Sequence, residues 1–137
     1  YSSHPVPAAV ALETLTIYEE RDILGQVRRV GPRMQEAIRS FADHPLVGHA
    51  RGVGLIGAIE LVRDKTTKQS FDPKAAVAAY LVRRAQHHGA ILRNMPGDIV
   101  AFSPPLIISE KEIDEMMACF GKALDDTWAM VREKGLV

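Results

Sequence analysis

The chain has 137 residues, and its 17 basic and 17 acidic side chains give a formal net charge of zero at pH 7. With 47% hydrophobic and 25% charged residues, it has the composition of an ordinary globular domain that is long enough to bury a core. The balanced charge gives no indication of nucleic acid or an anionic membrane as a partner. The sequence contains no apolar stretch long enough to span a bilayer and no recognisable signal peptide.

The single cysteine, Cys119, excludes an internal disulfide and favours a reducing compartment, which we expect to be the cytoplasm. It falls on the apolar pattern of a predicted helix, so a buried structural thiol is favoured over a nucleophile. The chain begins with Tyr1 rather than with methionine, and we expect it to be a piece of a longer protein.

Four stretches have the hydrophobic spacing of helices, one directly after Pro5 and three at about 22–42, 73–88 and 110–134. In the first stretch, apolar residues such as Val10 and Leu12 are spread around the helix instead of forming one stripe. A helix that is apolar on most sides is usually buried on most sides. This pattern predicts contacts with something outside the chain.

Local signals mark where two of these helices bend or begin. Gly31-Pro32 interrupts the second pattern, and we expect a kink or a break there because proline lacks an N–H group. Ser109 precedes the last helix, with Glu112 three residues later, which predicts a capping box.

Strands are predicted at 58–62, 90–92 and 99–102, and the last two flank a turn at 94–98 that contains Pro, Gly and Asp. The order helix, helix, strand, helix, strand, strand, helix contains a single helix–strand alternation. It favours an α+β fold, a small and largely antiparallel sheet of three to four strands with helices packed on one face.

Two motifs suggest ligand sites that we reject. Gly52, Gly54 and Gly57 have the dinucleotide-binding spacing, but that motif requires a helix to begin within it, and here an alternating strand pattern follows. His87 and His88 are adjacent, so they face different directions on a helix, and no carboxylate or cysteine joins them as a metal ligand. No catalytic residue and no metal site are predicted.

Arg93 follows the predicted strand at 90–92, directly before the turn. This position suits an arginine that binds a ligand, and it equally suits an ordinary solvated arginine. The residues alone favour the solvated interpretation.

Several stretches together have a pattern found in a known family. They are YSSHPV at 1–6 before an alanine-rich helix, RGVGLIGAIEL at 51–61, GDIV at 97–100, PPL at 104–106 and SEKEID at 109–114. In order and spacing they resemble the C-terminal small domain of class III, fold-type I aminotransferases, which depend on pyridoxal phosphate (PLP). The resemblance covers essentially the whole chain, and it is strongest to ω-amino acid and amine:pyruvate transaminases.

The resemblance implies that residues 1–137 are the C-terminal small domain of a longer aminotransferase. That enzyme would move an amino group from an amine or ω-amino acid to pyruvate or another 2-oxo acid. It would use PLP, a large PLP-binding domain in the same chain and a homodimer partner subunit.

The resemblance also implies that residues essential for catalysis are missing from this chain. In the family pattern the Schiff-base lysine lies upstream, and a threonine that reaches the cofactor phosphate of the partner subunit stands immediately before the position of Tyr1. No lysine of this chain lies in a matching motif, so we assign no catalytic or cofactor-binding residue. We expect the chain alone to bind no PLP and to be inactive.

The resemblance changes the interpretation of Arg93, which resembles the family's mobile arginine that binds the substrate α-carboxylate. A guanidinium group pairs with a carboxylate through two parallel hydrogen bonds and stays charged. On a flexible turn it can move aside for an amine donor without a carboxylate.

The alternative to the aminotransferase interpretation is that the chain is a self-contained, non-catalytic α+β interaction domain.

Overall fold

The computed structural model describes residues 4–137, and that part of the chain contains four α-helices and four strands. The helices are α1 (Pro5–Glu20), α2 (Ile23–Ser40), α3 (Val77–His87) and α4 (Glu110–Glu133). The strands are β1 (Val47–Val53), β2 (Ile56–Leu61), β3 (Arg93–Met95) and β4 (Ile99–Phe102). Within residues 4–137, no helix has the length and apolar character needed to cross a membrane.

The four strands form one antiparallel sheet in the order β1-β2-β4-β3. Side chains alternate along the central strands, so that Ile59, Leu61, Val100 and Phe102 are buried while the residues between them are partly exposed. Helices α2, α3 and α4 complete the hydrophobic core with these buried side chains. The predicted α+β class with an antiparallel sheet is confirmed.

Strand β1 was not predicted as a separate strand. Gly54 has a φ of +55°, and residues 54–55 form the turn of a hairpin between β1 and β2. The glycine-rich motif therefore lies in two strands and a turn, and no helix begins within it. The prediction missed β1 because His49 and Arg51 are exposed on this edge strand, which weakens its apolar pattern.

The predicted strand at 90–92 is wrong, because β3 begins only at Arg93. The β3–β4 register pairs Arg93 with Ala101. If the same register continued, Ala90 would lie opposite Pro104, which has no N–H group for a ladder. Arg93 is therefore the first residue of a strand rather than the residue that follows one.

The predicted helix over 73–88 is also wrong at its start. Residues 73–75 form a separate 3₁₀ turn, capped by the Asp72 carboxylate, which accepts a hydrogen bond from the Lys74 N–H at 2.9 Å. Ala76 then adopts a left-handed conformation with a φ of +49°, and this interrupts the helical geometry before α3 begins at Val77.

Helix α2 is continuous through Gly31-Pro32, so the expected break does not occur. A Cβ atom on Gly31 would lie 3.1 Å from the Cα of Gly54, so glycine allows the helix to approach the β1–β2 turn closely. The buried Gln35 amide donates to the carbonyl oxygens of Gly54 and Ile56 at 2.9 and 3.1 Å. These contacts hold α2 against the hairpin.

The first turn of α4 has the predicted capping box. The Ser109 N–H donates to the Glu112 carboxylate at 2.8 Å, and the Glu112 N–H donates to the Ser109 hydroxyl at 3.3 Å. The hydrogen bonds from Ser109 lower the pKa of Glu112. Arg33 of α2 donates to both carboxylate oxygens of Asp114 at 2.8 and 2.6 Å, which lowers the pKa of Asp114 and joins the two helices.

Helix α1 has no buried residue, and the side chains of Val10 and Leu12 are 60% and 67% exposed. These are the apolar residues for which the sequence predicts a partner outside the chain. The motif at residues 1–3 that supports the family resemblance lies outside the described residues.

His44 connects the end of α2 to β1 and is mostly buried. Its Nδ1 atom accepts a hydrogen bond from the Leu46 N–H at 3.2 Å, and its Nε2 atom lies 3.6 Å from the Asp125 carboxylate. Burial lowers the pKa of His44, and Lys65 acts in the same direction, while Asp125 opposes the shift. The neutral imidazole is the form that suits the fold, because protonated Nδ1 cannot accept the hydrogen bond.

We expect His44 to make the fold less stable at mildly acidic pH. Because its pKa is lower in the folded state, its contribution is full above the unfolded pKa of about 6.5 and is lost as the pH falls below it. Urea unfolding between pH 7 and 5 measures the effect. His44→Asn, which keeps an acceptor for Leu46, should flatten this pH dependence, whereas the exposed control His87→Asn should not. An unchanged slope in His44→Asn would contradict the assignment.

Candidate functional site

Arg93 lies on the face of the sheet that the helices leave open. It pairs with Ala101 of β4, Ala101 pairs with Ala58 of β2, and Ala58 pairs with Arg51 of β1. One row of side chains across this face therefore has an arginine at each edge and two alanines between them. The small alanine side chains leave the space above the middle of the row open.

The two arginines of this row differ in their partners. Arg51 donates to the Glu60 carboxylate at 3.1 Å and lies 3.0 Å from the Nδ1 atom of His49. Arg93 is exposed, and within residues 4–137 no carboxylate lies within ion-pair distance of it. An exposed guanidinium without an internal counter-ion is available to an anionic ligand.

A cavity of about 720 Å³ lies beside Arg93, between the start of β3 and the first half of α4. The residues that line this cavity include Ala101, Ser103 and Met116, and Arg93 is the arginine among them. The carboxylate of Glu112 also lines it, although that group is engaged in the capping box. The Glu115 carboxylate lines it as well and lies 3.5 Å from the Lys111 amine. The site thus combines a largely apolar wall, two carboxylates with partners of their own, and an arginine that has no ion-pair partner among residues 4–137.

Cys119 and His88 make contacts that support the fold. The Cys119 thiol donates to the backbone carbonyl of His88 at 2.9 Å, and the His88 ring contacts the Asp126 carboxylate at 2.8 Å. Arg84 also donates to Asp126 at 2.8 Å, and the bonds from His88 and Arg84 lower the pKa of Asp126. Within the described residues no group of His, Cys, Asp and Glu could hold a metal ion.

The lysines do not provide a site for PLP bound as a Schiff base. The Lys65 amine donates to the backbone carbonyls of Ala42 and His44 at 2.6 and 3.3 Å, and the Lys68 amine donates to that of Gly48 at 2.8 Å. The other lysines are exposed, and none in residues 4–137 lines the cavity beside Arg93. The described residues therefore do not fit this cofactor.

Comparison with known proteins agrees with the sequence motifs. Residues 1–124 match the family model described as class III aminotransferase. The chain belongs to the class III aminotransferase family. The chain is 45% identical over 133 residues to the chloroplastic gamma aminobutyrate transaminase 3 of Solanum lycopersicum, covering 97% of this chain and 25% of that relative. It is also 45% identical over 126 residues to an uncharacterised aminotransferase of Sinorhizobium fredii, covering 90% of this chain and 27% of that protein.

Solved structures of class III aminotransferases have the same fold over this region. A structure described as a transaminase with L-alanine has a TM-score of 0.87 at 47% identity, covering 93% of this chain and 30% of that one. The ω-transaminase of Pseudomonas jessenii, solved in complex with PMP, has a TM-score of 0.87 at 45% identity, covering 93% and 28%. The class III aminotransferase chain thus spans about a quarter of the length of the curated relatives it matches.

These findings confirm the family, which is PLP-dependent, and the match to the C-terminal part of transaminases. They do not test the role of Arg93, which stays a prediction. Sequence reasoning placed Arg93 beside the turn, but it could not show the open row of the sheet or the ion pair that distinguishes Arg51.

Because Arg93 has no carboxylate within ion-pair distance among residues 4–137, replacing it should hardly affect stability. We expect Arg93→Ala to change the free energy of unfolding by less than about 0.5 kcal/mol, as for surface substitutions away from structural features. Ile59→Ala, at a fully buried position, should cost about 2–5 kcal/mol in the same urea titration. A loss above about 1 kcal/mol for Arg93→Ala would show that the arginine serves the fold.

Proposed function

We propose that residues 1–137 are the C-terminal small domain of a longer aminotransferase chain. The chain spans about a quarter of its curated relatives, and its fold superposes on the corresponding part of complete transaminases. The same matches favour an enzyme over the alternative of a self-contained interaction domain. The single cysteine supports a cytoplasmic location, although two tomato relatives are named as chloroplastic and mitochondrial forms.

The proposed partners are a large PLP-binding domain of the same chain and a second subunit of a homodimer. Helix α1 supports this proposal, because it exposes Val6, Val10, Leu12 and Leu15 to solvent by 60% or more. A helix of this length gains little stability from its own hydrogen bonds in water, so it needs a surface to pack on. No lysine of the described residues fits PLP, and this supports a cofactor site in the large domain.

The proposed reaction transfers an amino group from an amine or ω-amino acid to pyruvate or another 2-oxo acid. Relatives named as gamma aminobutyrate transaminases and ω-transaminases support this substrate class. When bound in the complete enzyme, PLP supplies the electron sink for the transfer. The domain described here contributes substrate binding, and on its own it is inactive.

Arg93 is the residue that we propose for binding the substrate carboxylate. The observation that carries this role is its exposed guanidinium on the open face, without a carboxylate partner among the described residues. Its planar fork matches the two oxygens of a carboxylate, and this geometry fixes the orientation of the bound acid. A donor without a carboxylate does not use the fork.

The complete enzyme tests this role through its two half-reactions. Arg93→Ala should weaken the half-reaction with pyruvate or alanine by about 2–4 kcal/mol, the range for losing a desolvated, charge-assisted pair. The half-reaction with an amine that lacks a carboxylate should change little. Arg93→Lys should restore little activity, because an ammonium group cannot replace the fork. Stopped-flow absorbance of the cofactor measures both half-reactions.

The exposed Arg83 on α3 offers a matched control, since Arg83→Ala removes the same charge at a position that does not line the cavity beside Arg93. It should leave both half-reactions unchanged. Equal losses with both classes of donor in Arg93→Ala would mean that Arg93 supports the structure and does not bind substrate.

The 137-residue chain alone should form no defined adduct with PLP. Its lysines are exposed or bonded to backbone carbonyls, so they should react slowly and without a fixed stoichiometry. Absorbance titration combined with mass spectrometry after borohydride reduction measures this. One PLP per chain, abolished by substitution of one particular lysine, would refute the proposal that the cofactor site lies elsewhere.

A further inference from the structure

The turn between β3 and β4 has a strained backbone conformation. Gly97 has a φ of +82° and Asp98 a φ of +51°. Glycine adopts such a conformation freely, whereas aspartate does so at some cost. A left-handed Asp98 therefore needs contacts elsewhere that hold it in place.

Two hydrogen bonds supply those contacts, and they lead to different elements. The backbone carbonyl of Asp98 accepts from the Leu61 N–H at the end of β2, at 3.0 Å. Its carboxylate Oδ1 atom accepts from the Ala78 N–H in the first turn of α3, at 2.9 Å. Asp98 thus joins the turn to the centre of the sheet and to the helix behind it.

Helix α3 depends on this carboxylate for its N-terminal cap. The residue at its own cap position is Ala76, which has no side chain that could accept a hydrogen bond. An acceptor that satisfies a free N–H in the first turn stabilises a helix, and a negative charge there also interacts favourably with the helix dipole. The cap comes from a residue 20 positions away in the sequence.

The strand that carries Arg93 is held by β4 and by contacts with α3. β3 has three residues and lies at the edge of the sheet, so it pairs only with β4. The bonds of Asp98 lie at the opposite end of the same hairpin. They oppose any sliding or tilting of the hairpin relative to α3 and β2.

We propose that Asp98 is a positioning residue that fixes the β3–β4 hairpin and thereby the location of Arg93. The inference rests on the proposed role of Arg93 in binding the substrate carboxylate. A displacement of about 1 Å at a substrate-positioning residue can cost on the order of 100-fold in rate, so a hairpin that can shift relative to α3 is a poor platform for a bidentate contact.

Hydrogen exchange of the 137-residue chain tests the structural part of the proposal, that Asp98 holds the β3–β4 hairpin in place. Asp98→Ala and Asp98→Gly both remove the carboxylate, and Gly adopts the left-handed backbone without strain. In both variants the Ala78 N–H and the β3–β4 amides should exchange at least about tenfold faster, since their local opening becomes more frequent. Asp98→Asn, which keeps an acceptor and tolerates this conformation, should restore most of the protection.

Asp72→Ala is the matched control, because Asp72 caps the neighbouring 3₁₀ turn and makes no hydrogen bond to the hairpin. It should leave the exchange of the β3–β4 amides unchanged. Hairpin protection that is unaltered in both Asp98→Ala and Asp98→Gly would overturn the proposal.

Kinetics of the complete enzyme test the functional part of the proposal, that Asp98 positions Arg93 for binding the substrate carboxylate. Asp98→Gly should raise the KM for pyruvate about tenfold or more with little change for an amine donor, and Asp98→Asn should recover the loss to within about threefold. In an Arg93→Ala background, Asp98→Gly should have little further effect, because the group that it positions is gone. Losses that multiply in the double variant would show that Asp98 acts independently of Arg93, and the proposal would fail.

The Arg93→Ala variant separates this inference from the proposed function. If Arg93→Ala leaves the pyruvate half-reaction intact, the carboxylate-binding role is wrong, and the functional half of the proposal fails with it. Faster hairpin exchange in the Asp98 variants would still establish the structural link.

Discussion

The fold depends on burying one face of a four-stranded antiparallel sheet beneath α2, α3 and α4. The central strands supply Ile59, Val100 and Phe102 to this interface, and the helices meet them with fully buried side chains such as Ile38 and Phe120. Because the removal of apolar surface from water is the main favourable contribution to folding, this layer fixes which face of each strand points inward. The opposite face is left open, and every candidate functional feature lies on that face or at its edge.

The same arrangement leaves two surfaces of the described residues uncovered, helix α1 and the open face of the sheet. Helix α1 contributes nothing to the core, although it is rich in apolar residues such as Val10 and Leu12. The open sheet face has two alanines at its centre and an arginine at each edge. Both surfaces suit packing against further protein, and the matched relatives are about four times longer than this chain.

Charge pairing distinguishes the two arginines of the open face. Glu60 neutralises Arg51, whereas Arg93 has no carboxylate partner in the described part of the chain and lines a cavity. A positive charge that the fold leaves uncompensated has little value for stability, since surface charges contribute little without a partner. Under the proposed function this charge binds the substrate carboxylate, which requires that the short edge strand beneath it be held in place. Asp98 joins that strand's hairpin to α3 and β2, so one residue both caps a helix and anchors the hairpin that carries Arg93.

The sequence by itself determined the helices, the capping box of Ser109 and Glu112, the turn before β4 and the α+β class, because these depend on neighbouring residues with fixed spacing. It also pointed to Arg93, although it placed that residue at the exit of a strand predicted three residues upstream of β3. Strand β1 was missed since its exposed, polar face hides the alternation. Only the tertiary structure decided that Arg51 has a carboxylate partner whereas Arg93 has none among residues 4–137, and that Asp98 caps a helix 20 residues away. Such contacts join residues distant in the chain, and no local pattern encodes them.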